Sequence, residues 1–581
     1  MKTTQSISPK IFSIFFLLIL CSQIFGQTGD RIRLQQQATF GYSPALDNEI
    51  AAIGIEQYIN SQLTASGPTN PFPDTDLQPI QPRPNCNLDT PSNCYRDSYT
   101  MYPLQKWFFQ EALYGNAQLR HRVAWALSQM WVTSAFEITQ SRHMTEYYKL
   151  VYKHALGLPA GTPGDDSYRG LMREMTLNAA MGEYLDMAYS QKASGTIIPN
   201  ENYPRELLQL FTTGVNVLET DPNSAVYGKE KLDGNGRPIP VYTQSEINEF
   251  AKVFTGWSFC NVSDINGQCP NARLGVMNFI DPMKLNPIKH DESSKTLRLY
   301  IDNTFITQTT NGTNGDAELD LALNFIFNHP NVPIFVSKHL IQHLVTSNPS
   351  PQYLKRIADV FTNDGTGKRG NMKAVVKAIL LDPEARGDSK TDPFGKLREP
   401  VQYATNILRA FGVKGISSGA SDGVIFKEPN FLKMGQRPFY SPSVFNYYSP
   451  KNVITIGGDN LLAPEFGLMT PTTAVARANF ARKIIFDGIN IEPPRFPNIP
   501  SDIPFGTALD LTEMENYSRN SPTGTPLVNA LNTRLLNGTM PIHMRNTILS
   551  AVTAIPKGDA NGRAKTAIYL VVTSAEYQVQ R

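Results

Sequence analysis

The sequence predicts a mainly α-helical protein: one large multi-helix globular body with long proline-rich loops and at most small β-hairpins. Three observations carry this. Apolar residues recur at helical spacing through most of the chain, strand-like alternation is scarce and short, and no repeat of about 20 to 50 residues suggests a solenoid.

Residues 1–26 stand apart. Lys2 and Lys10 mark a basic start, Ile11 to Cys21 is apolar, and Ser22 to Gln27 is a short polar exit. That is the layout of a cleavable secretory signal, with the small residue Gly26 as the expected cleavage point. The apolar run is well short of the roughly 20 residues that span a bilayer, so no stable membrane span is expected after cleavage. Leu20 before Cys21 is too bulky for a lipoprotein acceptor site.

Residues 27–581 read as a single helical domain. Leu34 to Leu63 is a helical start in which Ser43-Pro44 opens a run broken near Gly54. Residues 64–98 hold seven prolines and the first cysteine pair, describing a long stapled loop. Helical spacing resumes at Leu104, Trp107, Phe108 and Leu113, and again at Val123, Leu127, Met130 and Trp131, whose aromatic rings are assigned to the core. Two periodic stretches follow, Tyr147 to Leu156 and Tyr168 to Tyr189. The turn-rich residues 232–241 suggest a small hairpin. Helices are expected over Gln244 to Phe254, Leu319 to Val345, Pro351 to Phe361, Met372 to Leu381 and Pro400 to Phe411, and the last third is more irregular, notably Ile489 to Phe505.

The 53 basic and 51 acidic side chains nearly cancel, which argues against recognition of nucleic acid or an anionic membrane by bulk charge. Cys86 with Cys94 and Cys260 with Cys269 form two local pairs in turn-forming surroundings, read as disulfides of an oxidising compartment. Their spacing is too wide for zinc knuckles.

The segment from Asn200 to Gly214 carries the most chemistry. Pro204 belongs in a first helical turn, so the helix should start near Asn202, with that side chain as cap, and stop at Gly214. Leu207, Leu210 and Phe211 form the expected buried stripe, with Arg205, Gln209 and Thr212 opposite and Glu206 at the boundary. In the functional reading Glu201 or Glu206 acts as acid, base or ligand and Arg205 holds an anion. In the structural reading, the favoured one, these ionic groups satisfy each other at a helix terminus. His290 beside Asp291 offers an imidazole and a carboxylate together, as an oriented base or a metal site requires, yet neighbouring residues rarely face one centre and no further ligands follow from spacing. Gly415-Ile-Ser-Ser-Gly419 fits G-x-S-x-G, but a helix rather than a strand precedes it. His339 and His343, four apart, lack the glutamate of a zinc-peptidase helix and read as partly buried structural histidines. The loops at 233–236 and 363–368 read as turns rather than calcium sites.

Six ordered segments together resemble one family: Leu34-Gln-Gln-Gln-Ala-Thr-Phe-Gly41, Asn200 to Gly214, Tyr242-Thr-Gln-Ser-Glu-Ile247, Phe254-Thr-Gly-Trp257, Leu340 to Pro351, and Gly435-Gln-Arg-Pro-Phe-Tyr-Ser-Pro-Ser-Val-Phe-Asn446. The chain is identified by them, over about Arg31 to Arg581, as a member of the domain of unknown function 1800 family. The resemblance implies a mainly helical, exported bacterial protein, often encoded beside an exported phosphatase- or sulfatase-like companion. It implies no activity and no cofactor. Many members carry an F-W-H-x-H-F run that aligns with Met130 to Ser134, where this chain has no histidine. The reading is therefore an extracytoplasmic binding or assembly protein, the alternative being a hydrolase or transferase with Glu201, Glu206 and His290 as catalytic groups and Asn202, Arg205 and Asp291 as binding groups.

Mass spectrometry of the protein recovered outside the cytoplasm should find Gln27 as its first residue. A mature form that keeps Lys2 and Lys10 would refute the signal assignment.

Overall fold

The computed structural model describes residues 28–65, 67–73, 84–87, 89, 93–159, 161–260, 269–272, 277–301, 304–387, 390, 394–416, 419–490 and 506–581. The expected signal segment, Ser417-Ser418 of the G-x-S-x-G match, and most of Ile489 to Phe505 lie outside them. About half of the chain is helical, and the strands form only two-stranded antiparallel sheets.

The helices in chain order begin with α1 (28–38), α2 (Pro44–Ile53), α3 (Ile55–Thr64), α4 (Cys94–Tyr99), α5 (Tyr102–Tyr114) and α6 (Gln118–Ser128). Next come α7 (Ser141–His154), α8 (Tyr168–Thr176), α9 (Ala179–Tyr184), α10 (Asn202–Glu206) and α11 (Gln244–Val253). Then follow α12 (Gly315–Phe327), α13 (Asn331–Leu344), α14 (Pro351–Thr362), α15 (Met372–Leu381) and α16 (Pro400–Phe411), with further helices to Gln578. Gly54 separates α2 from α3 with a φ of 89°, a conformation open to glycine, as the break in the pattern required. Pro351 and Pro400 sit in first turns, where the missing N–H costs nothing.

Two expectations are corrected. The predicted helix from Leu319 to Val345 is two helices, because Pro330 interrupts the hydrogen-bond ladder between α12 and α13. The 64–98 loop ends in the short helix α4. The strands are the small two-stranded pairs that were expected: Lys295–Ile301 pairs in full register with Thr304–Thr310. The turn-rich 232–241 segment folds back on itself as expected, Leu232 bridging Pro238 antiparallel, with the Asp233 N–H on the Arg237 carbonyl at 2.7 Å and the Ile239 N–H on the Lys231 carbonyl at 3.0 Å.

Two helices run through the centre. Every residue of α16 is buried, and α6 is buried from Gln118 to Leu127. Helices with polar side chains on all faces survive inside only if each group finds a partner. The chain end closes this centre: Val579–Gln580 pairs antiparallel with Lys396–Leu397, and the Gln580 amide donates to the Leu344 carbonyl at 3.1 Å. Tyr577 is fully buried, its hydroxyl accepts from Asn406 Nδ2 at 3.1 Å, and the Arg398 guanidinium lies 4.6 Å from its ring centre.

Truncation Tyr577→Ala should therefore cost about 3–5 kcal/mol, the scale of removing a buried aromatic ring. Urea denaturation should show a lower midpoint with an unchanged slope. A shift equivalent to less than about 1 kcal/mol would mean that the C-terminus does not close the core.

Candidate functional site

The residues predicted from the Asn200–Gly214 segment share α10 but not the expected roles. Asn202 is not the cap: Glu201 occupies that position, and the Asn202 N–H is taken by Asn200 Oδ1 at 2.8 Å. The Asn202 amide donates instead to Asp186 Oδ2 at 3.2 Å. Glu201 pairs with Arg205 at 2.6 Å and accepts from the Gln244 amide. The Arg205 hydrogen bond holds the Glu201 carboxyl below its ordinary range. This is a half-exposed pair that ties α10 to α11. Glu206 differs: it is buried, and its Oε2 has no hydrogen-bond partner. Burial pushes its pKa up, with only Arg205 opposing.

Beyond Glu206 the helix continues as a π-helix, Leu207–Thr212. Its i to i+5 spacing turns Thr212 into the core, where the sequence pattern expected an exposed side chain, and its hydroxyl donates to the Leu207 carbonyl at 2.5 Å. Leu208 joins the buried stripe, while Leu210 is only partly buried.

His290 lies elsewhere. Its Nδ1 faces the Thr255 carbonyl at 2.8 Å and its Nε2 faces Glu318 Oε2 at 3.0 Å. Lys295 Nζ reaches the same carboxylate oxygen at 2.8 Å, and the Thr310 hydroxyl donates to the other. Burial disfavours the Glu318 carboxylate, yet the His290 and Lys295 hydrogen bonds outweigh it and lower its pKa. Asp291 accepts from Ser293 and its own N–H donates to Thr255 Oγ1 at 2.9 Å. Through these two contacts His290 links the Thr255 turn to Glu318 on α12. The Phe254-Thr-Gly-Trp257 segment builds that joint: Gly256 has a φ of 86°, and a Cβ there would lie 2.9 Å from the His290 backbone nitrogen. Among the described residues no hydrogen bond or ion pair joins the Glu201–Glu206 group to His290 and Asp291.

The densest ionic centre is one that the sequence reading missed. Glu399, with no exposed surface, accepts from Trp125 Nε1 at 2.9 Å, Gln129 Nε2 at 3.0 Å, Gln436 Nε2 at 2.6 Å and the Tyr448 hydroxyl at 3.2 Å. Burial by itself would raise its pKa, but Lys396 and Arg122 hold it down to about 2. Lys396 Nζ pairs with Glu465 Oε1 at 2.8 Å and donates to the His343 carbonyl at 2.8 Å, which also accepts from Arg122. The signal available in the sequence was Lys396-Leu-Arg-Glu-Pro400, three charges running into a helix whose other residues are mostly apolar.

A cavity of about 40 Å³ borders this network. Three of the residues that line it each carry a fully buried atom with no hydrogen-bond partner: Glu465 Oε2, His343 Nδ1 and Asn446 Oδ1. Burial pushes the Glu465 carboxyl up, whereas it pushes His343 well below its ordinary value and His339 down to about 4, so both imidazoles are neutral at pH 7. The two histidines are buried or nearly so, as their spacing among apolar residues implied. Asn446 sits at a φ of 70°, an uncommon left-handed conformation. Its amide nitrogen donates to Gln129 Oε1 at 3.2 Å, which directs its oxygen the other way. Met130, Leu210, Gln342 and Val444 also line the cavity, so three of the six family-like segments meet on it.

These features define a class: a mainly helical body organised around a buried ion network, with a small cavity at its edge. The family described as protein of unknown function (DUF1800) matches residues 33–579, and the chain belongs to that family. Neither the curated proteins nor the solved structures provide a match. Where the family resemblance places histidines, Trp131 stacks on Phe211 with ring centres 4.3 Å apart and Met130 to Ser134 are buried. Among the described residues no group of three His, Cys, Asp or Glu side chains could hold a metal ion.

Two stability measurements follow. Glu399 has a depressed pKa, so its contribution is present above the ordinary carboxylate range and is lost as pH falls towards about 2. Replacing it, Glu399→Gln, should cost about 3–5 kcal/mol at neutral pH and flatten the acid limb of a stability–pH curve. Glu206 has a raised pKa, so its carboxylate weakens the fold as pH rises through that value. Glu206→Gln should therefore raise the melting temperature at pH 7 and leave it unchanged near pH 4, and a fall at pH 7 would show that the carboxylate is satisfied.

Proposed function

We propose that the protein is exported and works in the cell envelope as a binding or assembly protein, not as a hydrolase or transferase. Export is supported by the two disulfides, Cys86–Cys94 and Cys260–Cys269, which suit an oxidising compartment. No helix among the described residues is long and apolar enough to cross a membrane.

One observation carries the binding reading: three family-like segments converge on one small cavity, which is lined by Leu210, Gln342, His343, Val444, Phe445 and Asn446. A space of about 40 Å³ accepts the end of a side chain or a small group. It has no room for a polymer bond together with an attacking water. The nearest histidines are neutral and one of them, His339, uses Nδ1 on the Phe335 carbonyl at 2.9 Å. His290 is held at both nitrogens. The exported phosphatase- or sulfatase-like companion suggested by the family resemblance is the first partner to try.

The test is recovery of the tagged mature chain from its native envelope, wild type beside Phe445→Ala at the mouth of the cavity. Retention of the companion by wild type and its loss from the variant are expected. Recovery of both forms alone, with turnover of an envelope polymer by the wild type that Glu206→Gln abolishes, would overturn the reading in favour of the hydrolase.

A further inference from the structure

Two tight turns carry the most exposed large apolar side chains among the described residues, Ile198 at 80% and Ile288 at 77% exposure. In the first turn the Ser194 N–H donates to the Ile197 carbonyl at 3.1 Å and the Ile197 N–H to the Ser194 carbonyl at 3.0 Å, with Gly195 at a φ of 59°. In the second, the Ile288 N–H donates to Asn286 Oδ1 at 3.1 Å and the Lys289 N–H to the Asn286 carbonyl at 3.0 Å. The Lys192 N–H donates to the Lys289 carbonyl at 2.9 Å and fixes the two turns side by side. Ile197 and Tyr189 are exposed on the first of these segments, and the Tyr189 ring packs on Phe259 with 5.3 Å between ring centres. The turns are thus held by backbone hydrogen bonds while their apolar side chains face solvent. A lone exposed isoleucine needs no explanation, but three on two tied turns do.

We propose that this pair of turns seats the protein on the surface of an anionic lipid bilayer, the isoleucines entering the acyl boundary and the lysines meeting the headgroups. Charge argues for that occupant. Lys192, Lys284 and Lys289 have no ion-pair or hydrogen-bond partner for their ammonium groups among the described residues. The carboxylates of Asp186, Glu201, Asp281 and Asp291 on the same two stretches each have partners inside the protein, which leaves Glu292 alone against three cations. The kind of side chain argues the same way. Protruding isoleucines enter fluid hydrocarbon without a preformed pocket, and lysine accompanies apolar side chains at membrane surfaces but is depleted at protein–protein interfaces. A half-exposed tyrosine beside them suits headgroup depth. Basic and acidic side chains nearly cancel over the whole chain, so the attraction belongs to this face and falls off within a Debye length.

Cosedimentation of the full mature chain with lipid vesicles tests this, using phosphatidylcholine alone and phosphatidylcholine with about one-third phosphatidylglycerol. Wild type should partition about tenfold better to the anionic vesicles, and rising sodium chloride should weaken that preference. I198S/I288S removes apolar surface without changing charge and should cut binding to the anionic vesicles about tenfold or more. K192Q/K289Q should erase the difference between the two kinds of vesicle. None of the four side chains belongs to the core, so both variants should melt within a few degrees of wild type, which separates lost binding from lost folding. Wild type that stays in solution beside both kinds of vesicle, or binds them equally, would overturn the proposal, as would binding unchanged in I198S/I288S. Loss of companion retention by I198S/I288S without any vesicle binding by wild type would overturn it in favour of a protein partner on this face.

Discussion

A single buried carboxylate, that of Glu399, constrains the whole centre of the molecule. An ionised group with no water contact is tolerable only when charge and hydrogen bonds replace its hydration, a debt of several kcal/mol if they do not. Its donors come from residues far apart in the chain: Trp125 on α6 and Gln129 at its C-terminal cap, Gln436 and Tyr448 on a loop some three hundred residues later. Any slip of α6 along α16 would remove two donors at once. The network thus acts less as a source of net stability than as a selector of one arrangement among otherwise similar packings of apolar helices.

That dependence explains what the sequence revealed. The helices at Met372–Leu381 and Pro400–Phe411 have the bounds expected from periodicity and first-turn proline, because local signals decide them. The first half of the disulfide assignment was equally local, since each pair lies within ten residues of chain. Thr212 was misplaced because apolar spacing assumes 3.6 residues per turn, and a π-helix departs from it without a marker in composition. Glu399 was missed for a deeper reason. Its partners are set by tertiary contacts, and from sequence alone a glutamate before a proline looks like an ordinary exposed helix start.

The family-like segments divide by what they do in the fold. Phe254 to Trp257 holds the His290 loop, Thr243 and Glu246 form the reciprocal cap of α11, and Gly41 is pressed so close to Asn406 that a Cβ would lie 2.6 Å from it. These contacts hold the fold together, and His290 takes part in them through the Thr255 carbonyl and Glu318.

Glu399 and Glu465 show how the surroundings decide the charge of a buried carboxylate. Both are fully buried carboxylates near Lys396, yet their pKa values move in opposite directions. The charges around them account for this: at Glu399 burial is outweighed by Lys396 and Arg122 together, while at Glu465 burial outweighs Lys396 and the Glu399 carboxylate adds to the rise. Glu399 therefore ties α6 and the loop of Gln436 and Tyr448 to the start of α16, whereas Glu465 is tied to the centre through Lys396.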